Sequence, residues 1–422
     1  MLTQHTGPPA TRIWAPPPTE PACRLCGARV LRTLIDLGHI HLANRTIAAD
    51  APDGQPYRLH ARICDNCTLV QVADVADPET IAAPRPFLAS RSAAGLVQTR
   101  RHADLMRKRL HLGPASLVIE IGSNDGTLLR HFQSAGIPVL GIDPTPTATN
   151  EIGIPTEAGL FNTETAMDIA VRHGCADLVI ANDVLPHAPD LFDFAAGLSS
   201  ILRPNGILTL QVPHLLSLVQ KMQFDAFQHD CYTYLSLRVL EHVLRSVGLR
   251  VFDAERLPDH GGSLRIHACH VVAPHAARPG LKAVRLAEGV AEMERNDFFA
   301  GFSDRVAAVR DEIREFLQTR RTAGRRVAAY GAATRGSTLL NCCGITTQEI
   351  AWVADPDPAK HGRLLPGSRI PIVPVETLMD DPPDDVVILP WPNAAEIALK
   401  LMPLRQRGTQ LWTAVPRIAR VA

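Results

Sequence analysis

The 422-residue chain has no excess of charge of either sign: 43 Lys and Arg balance 43 Asp and Glu. That argues against a broad electrostatic surface for nucleic acid. It also lacks a run of the roughly 18 apolar residues that a membrane span needs. The first 22 residues, with Pro8-Pro9 and Pro16-Pro17-Pro18, hold no apolar signal core and read as a disordered tail rather than an export signal. No internal repeat is visible. Of nine cysteines, five (Cys175, Cys231, Cys269, Cys342 and Cys343) show no disulfide spacing, and the adjacent Cys342-Cys343 reads as two packed thiols. This pattern predicts a reducing, cytoplasmic setting. At 46% hydrophobic and 20% charged residues the chain is of ordinary globular composition, and its length predicts about three domains.

The other four cysteines form two pairs, Cys23-x-x-Cys26 and Cys64-x-x-Cys67. Two such knuckles place four soft thiolates for a tetrahedral Zn²⁺ site, and a closed Cys₄ site is structural because no position is left for water or substrate. His39, His41 and His60 in the same segment read as surface or packing residues, since four cysteines already fill the coordination shell. The expected organisation is a tail over 1–22, a zinc-binding module over 23–80, an α/β domain over 81–277, linker helices over 278–324 and a second α/β domain over 325–422. In the first α/β domain, apolar runs at Leu117–Ile121, Val139–Ile142, Leu178–Ala181, Gly206–Val212 and Ser263–Ala268 alternate with helices such as Thr127–Ser134 and Leu191–Leu202. In the linker, Phe302, Val306, Val309, Ile313 and Phe316 share one face. The second α/β unit starts at Arg326–Tyr330, with later strands at Glu349–Ala354 and Asp385–Leu389.

A candidate ligand site lies in the first α/β domain. Leu117-Val-Ile-Glu-Ile-Gly-Ser-Asn-Asp-Gly-Thr127 is a strand ending in a glycine turn that feeds a helix. Gly122 and Gly126 let a ligand approach the backbone. The form E-x-G-x-x-x-G, headed by Glu120 and enclosing Asn124, is the first motif of the S-adenosylmethionine (SAM) methyltransferase fold and differs from the dinucleotide G-x-G-x-x-G. Asp143 ends the next strand, before Pro144, where an acid accepts ribose hydroxyls in doubly wound sheets. Asn182-Asp-Val-Leu-Pro-His187 follows the next long strand, at the carboxyl edge where such sheets bind ligands. A second turn, Tyr330-Gly-Ala-Ala-Thr-Arg-Gly336, lacks the three-glycine fingerprint and reads either as a phosphate contact or as a structural turn.

Further motifs extend over residues 20–410. They are Leu59-His-Ala-Arg-Ile-Cys-Asp-Asn-Cys-Thr-Leu-Val-Gln71, Glu120–Gly126, His260-Gly-Gly-Ser-Leu-Arg265, Tyr330-Gly-Ala with Gly-Ser-Thr-Leu-Leu-Asn341, and Ala354–Gly367 followed by Ile370-Pro-Ile372. On these the chain resembles the three-domain sugar C-methyltransferases of deoxysugar biosynthesis. The resemblance implies a zinc module, a Rossmann-like SAM domain and a C-terminal Rossmann-like domain without its own cofactor. It also implies methylation of the carbon next to the ketone of a nucleotide-linked 4-keto-6-deoxysugar, in antibiotic-type biosynthesis. A base would remove the α-proton, and the enolate would attack the sulfonium methyl in line.

The family's reactive segment reads Y-H-E-H, and the matching stretch here is Gln228-His229-Asp230-Cys231, followed by Tyr234. The last histidine, the family's favoured base, is Cys231 in this chain. A thiol near its reference pKa of about 8.5 is mostly protonated at neutral pH. The upstream segment also departs: Pro86-Phe-Leu-Ala-Ser-Arg-Ser92 stands where the family has Y-F-S-S-Y-S. Catalytic candidates are therefore His229 and Asp230, with His187 near the oxyanion and Cys231 and Tyr234 beside them; the bland alternative is that His229 and Asp230 orient a loop. Phe87, Gln228, His260 and Arg265 are candidate substrate contacts. Arg265 is read as facing a diphosphate, and the His260 turn equally as a structural hairpin. The expected partner is a small molecule, and the alternative chemistry is O- or N-methylation or a non-methylating SAM-assisted reaction on the same scaffold.

Overall fold

The computed structural model describes residues 21–73, 78–81, 93–145 and 153–421. The central body is a seven-stranded sheet built from β4 (Val118–Ile121), β5 (Val139–Asp143), β6 (Thr156–Ala158), β7 (Ala176–Asn182), β8 (Leu202–Pro213), β10 (Leu249–Leu257) and β11 (Ser263–His270). Its order is β10-β11-β8-β7-β4-β5-β6. Strands β6, β5, β4, β7 and β8 run parallel, and β11 is antiparallel to both β8 and β10. From β4 the chain winds outward through β5 and β6, then crosses back to β7. This reversal opens a crevice at the carboxyl ends of β4 and β7, where doubly wound sheets take ligands.

The strands are continuous apolar runs because both faces are covered. On one face lie Ile169, Phe194, Leu198, Leu240 and Val243; on the other, Ala103, Met106, Leu129, Phe132 and Phe252. The covering helices start where the sequence supplies caps. Asn162 forms a capping box for Thr163–His173, the Asp190 carboxylate accepts from Phe192 N and Asp193 N, and Ser236 Oγ accepts from Val239 N.

The N-terminal sheet has the order β1-β2-β3-β9: β1 (Leu31–Ile40), β2 (Tyr57–Cys64), β3 (Val70–Val72) and β9 (Thr233–Tyr234). Its last strand comes from the segment between β8 and the helix Leu237–Ser246, so residues 23–80 do not complete this sheet alone.

The third sheet has the order β14-β13-β12-β15-β16-β17: β12 (Val327–Tyr330), β13 (Val353–Ala354), β14 (Ile372–Val373), β15 (Asp385–Ile388), β16 (Gln410–Thr413) and β17 (Ala419–Arg420). Only β17 is antiparallel to its neighbour. The expected strand Glu349–Ala354 shrinks to β13, because Glu349 turns back to accept Thr346 N at 3.0 Å and closes a loop. The linker helix Phe302–Thr322 buries Phe302, Val306, Val309 and Ile313 as expected. The fifth position is Leu317 rather than Phe316, which instead lies against the Trp412 ring, with the centroids 4.8 Å apart.

Candidate active site

The turn after β4 carries three left-handed residues, Gly122 (φ 71°), Asn124 (φ 53°) and Gly126 (φ 70°). A Cβ on Gly122 would sit 2.2 Å from Val184 Cγ1, so glycine is required for the turn to pass under the β7 loop. Asp143, at the end of β5, accepts Asn124 N at 2.9 Å on one oxygen and Thr145 N at 2.8 Å on the other, with Thr145 Oγ1 at 3.1 Å. A carboxylate with about four acceptor directions keeps capacity for further hydroxyl donors. Pro144 is exposed beside it. Glu120 is buried, and its Oε2 has no partner. Burial, and then the nearby Asp125 and Asp143, push its pKa well above the ordinary carboxylate range. Asn182 Oδ1 and Ser123 Oγ are likewise buried and unpartnered. Orphaned acceptors and crowded acids around a glycine cradle fit a ligand that brings hydroxyl donors and positive charge. SAM offers both: ribose hydroxyls, an ammonium and a sulfonium.

Beyond this cradle, the loop after β7 and the turn before β11, whose amino end lies beside the carboxyl end of β8, form a polar recess. His187 Nδ1 donates to the Asp230 carbonyl and lies 4.0 Å from Asp230 Oδ2. That same carboxylate oxygen accepts Asn44 Nδ2 at 3.2 Å from the zinc module. Tyr232 N donates to Pro186 O at 2.8 Å, which fastens the 228–234 segment beside His187. Across the recess, His260 Nε2 lies 3.9 Å from Asp183 Oδ2. Both His260 (φ 54°) and Asp183 (φ 56°) are left-handed. Asp183 was inside the segment singled out from sequence but was not itself named. Its positive φ, which would have flagged it, is a property of the backbone and not of composition.

The other candidates lie elsewhere. His229 is buried, and its Nε2 hydrogen-bonds the Tyr57 carbonyl at 3.1 Å on the zinc module, with burial pulling its pKa below the usual imidazole value. Cys231 is buried with its thiol directed at Thr233 O, 3.5 Å away. Tyr234 is buried; its hydroxyl accepts Gln228 N at 2.9 Å, and burial drives its pKa well above the ordinary phenol value. Gln228 is half-buried beside it. Arg265 turns into the sheet, where it donates to Gln211 Oε1 at 2.6 Å and lies 3.5 Å from Glu255. Phe87 lies outside the described residues.

The four zinc-candidate thiols converge: all Sγ atoms lie within 4.8 Å of one another. Cys23 and Cys67 approach to 3.5 Å, and Cys26 and Cys64 to 3.6 Å. Tetrahedral ZnS₄ with bonds of about 2.3 Å requires S···S separations of about 3.8 Å, so the set fits. His60 stands apart, paired with Thr33 Oγ1 at 2.9 Å.

Three family models match successive segments of the chain. Residues 23–81 match the family described as "Putative zinc binding domain", 97–254 "Methyltransferase domain" and 258–416 "C-methyltransferase C-terminal domain". The C-methyltransferase NovU of Streptomyces niveus is 34% identical over 402 residues, covering 93% of this chain and 95% of its own length. The ubiquinone biosynthesis O-methyltransferase of Methylobacterium sp. (strain 4-46) is 28% identical over 107 residues, or 23% of this chain and 42% of that protein. Among solved structures, the 1,6-didemethyltoxoflavin-N1-methyltransferase of Burkholderia thailandensis, bound to S-adenosylhomocysteine, matches at 18% identity and a TM-score of 0.34, covering 49% of this chain and 96% of its own.

A doubly wound sheet with this cradle at its switch point, matched to a methyltransferase domain, defines a SAM-dependent methyltransferase that carries structural zinc in an N-terminal Cys₄ site. With a relative 34% identical over nearly its full length, the chain belongs to the three-domain C-methyltransferases.

Proposed function

We propose that the chain methylates the carbon next to the ketone of a nucleotide-linked keto-deoxysugar, or of a related natural-product intermediate, in a reducing cytoplasm. The observation that supports this reading is the recess of Asp183, His187, Asp230 and His260 beside the glycine cradle, a set of acid–base groups of the kind that enolate chemistry next to a methyl donor needs. SAM, when bound, supplies an electrophilic methyl group. The chain's own part is to hold the acceptor, remove one proton and stabilise the oxyanion. His187, whose Nδ1–H is held by the Asp230 carbonyl, would stabilise the developing oxyanion as an imidazolium, with Nε2–H as the donor. Glu120, Gly122, Asn124, Gly126, Asp143, Pro144 and Asn182 are the proposed cofactor contacts.

The test is mass spectrometry of a nucleotide 4-keto-6-deoxysugar incubated with the protein and SAM in deuterated water. A gain of one methyl with release of S-adenosylhomocysteine is expected. SAM binding without methyl transfer would remove the sugar acceptor. One observation favours a second reading, O- or N-methylation: Cys231 is packed against a main-chain carbonyl, so its position supplies no base. Methyl transfer to a hydroxyl or amine acceptor, with none to the keto sugar, would establish that reading.

A further inference from the structure

Three groups in the expected reactive segment are committed to the fold. Cys231 and His229 contact main-chain carbonyls, and Asp230 Oδ2 takes Asn44 and lies beside His187. Asp183 is placed differently. It follows Asn182 at the carboxyl end of β7 and precedes Val184, whose side chain closes over Gly122, so it adjoins the cofactor cradle. Its backbone is left-handed at φ 56° and is pinned by its N–H to Gln211 O at 2.8 Å. Aspartate reaches this region more readily than most residues, and here the backbone hydrogen bond holds it there. Asp183 Oδ1 is buried with no hydrogen-bond partner, an arrangement that costs stability until something fills it.

We propose that Asp183 is the base that removes the α-proton, taking over the work that the thiol at 231 cannot do. The assignment rests on the keto-sugar reading above. The substrate C–H bond breaks and its proton passes to the Asp183 carboxylate, whose side chain is partly exposed to the recess. The electron pair forms the enolate, with its negative charge on the former ketone oxygen. A bond then forms between the α-carbon and the methyl group as the methyl–sulfur bond breaks, and that electron pair stays on sulfur, leaving neutral S-adenosylhomocysteine. His260, 3.9 Å from Oδ2 and exposed on its far side, is placed to relay the proton to water.

The groups facing Asp183 set its titration. Removal from bulk water raises its pKa; His260, His187 and Arg265 oppose the rise, and Asp259 adds to it. Asp230 lies one step further off, beside His187. As a base, Asp183 must be ionised, so kcat/KM rises with pH through its pKa and then levels.

Deuterium wash-in at the α-carbon, with S-adenosylhomocysteine in place of SAM, isolates the proton step. Asp183→Asn suits the left-handed backbone, since asparagine tolerates it. It should lose wash-in at least about 100-fold, keep its SAM dissociation constant within about twofold of wild type, and lose the acid limb of the pH profile. Asp183→Glu, with its carboxylate kept, should recover part of the exchange. Wash-in by Asp183→Asn within about threefold of wild type, with the wild type active, would overturn the assignment and leave the substrate reading standing. No wash-in and no methylation by wild type would overturn the substrate reading, and the assignment with it.

Discussion

Glu120 shows how a ligand site can be read from a destabilised side chain. Its carboxyl is buried, one oxygen is orphaned, and Asp125 and Asp143 crowd it. Its folded pKa is raised, so its contribution to stability is full below the unfolded value of about 4.3 and is lost as pH rises through the folded pKa. Glu120→Gln removes the charge that must be buried. The SAM-free protein should therefore melt about 2 °C or more higher at pH 8, while SAM affinity falls about tenfold or more, as calorimetry would show. An unchanged affinity would remove Glu120 from the cofactor contacts. His229 poses the opposite question: its ring joins the 228–234 segment to Tyr57 on the zinc module. His229→Ala should cost about 1–3 kcal/mol of stability by leaving a cavity and an orphaned carbonyl. It should lower turnover while retaining SAM binding, and the turnover lost should be independent of pH above the usual imidazole value of about 6.5, because burial pulls this imidazole's pKa below it. A new ionisation in that profile would return His229 to acid–base chemistry.

At the scale of elements, the zinc sheet and the catalytic segment are one piece of structure. β9 completes the sheet beside β3, Asn44 reaches Asp230, and Leu34, Ile63 and Val70 share a core with Phe224, Phe227 and Val306. A closed structural Cys₄ site, taken alone, implies that chelation unfolds the first module rather than poisons the chemistry. The shared core and the Asn44 contact change that expectation: zinc removal by a strong chelator should abolish turnover in step with loss of helical and sheet signal, and re-addition should restore both. Turnover surviving in fully zinc-free protein would separate the two. These couplings were illegible in sequence because β9 is two residues long and pairs with a strand some 160 positions earlier. Local signals were legible: Glu120–Gly126, the strands around it and both CxxC pairs each carry their geometry within a few residues. The Asp183 and His260 conformations were not, since tertiary contacts impose a left-handed φ that no neighbour in sequence announces. At the second glycine turn the structure shows why glycine is needed and how the neighbouring acid is held. A Cβ on Gly331 would strike Pro390 at 2.4 Å, and Asp355, the counterpart of Asp143, is spanned by Ala332 N and Lys360 Nζ.

Across the whole molecule, the C-terminal domain is clamped onto the recess. Arg335 donates to both oxygens of the buried Asp225, at 2.9 and 2.8 Å, and to the His260 carbonyl at 2.7 Å. Trp391 Nε1 donates to Asp225 at 2.9 Å, and its ring lies against the Arg335 guanidinium. On the other flank, Ile47 bridges to Leu364, and Arg363 and Arg369 hold main-chain carbonyls of the loop around Thr46 and Ala51. The C-terminal domain thus fixes the turn that carries His260. Arg335→Ala strands a buried carboxylate, which for a broken buried pair costs about 3–5 kcal/mol. Replacing both partners by apolar residues, Arg335→Met with Asp225→Leu, should cost clearly less than the single change, because no charge is left behind. If the clamp serves only cohesion, the double variant should regain stability and activity together. If it positions His260, stability should return while kcat stays low and SAM affinity stays normal, since the His260 carbonyl still lacks its donor. We expect the second outcome from paired denaturation and turnover measurements, because Arg335 also donates to the His260 carbonyl in the recess itself, which adds nothing to the pairing with Asp225.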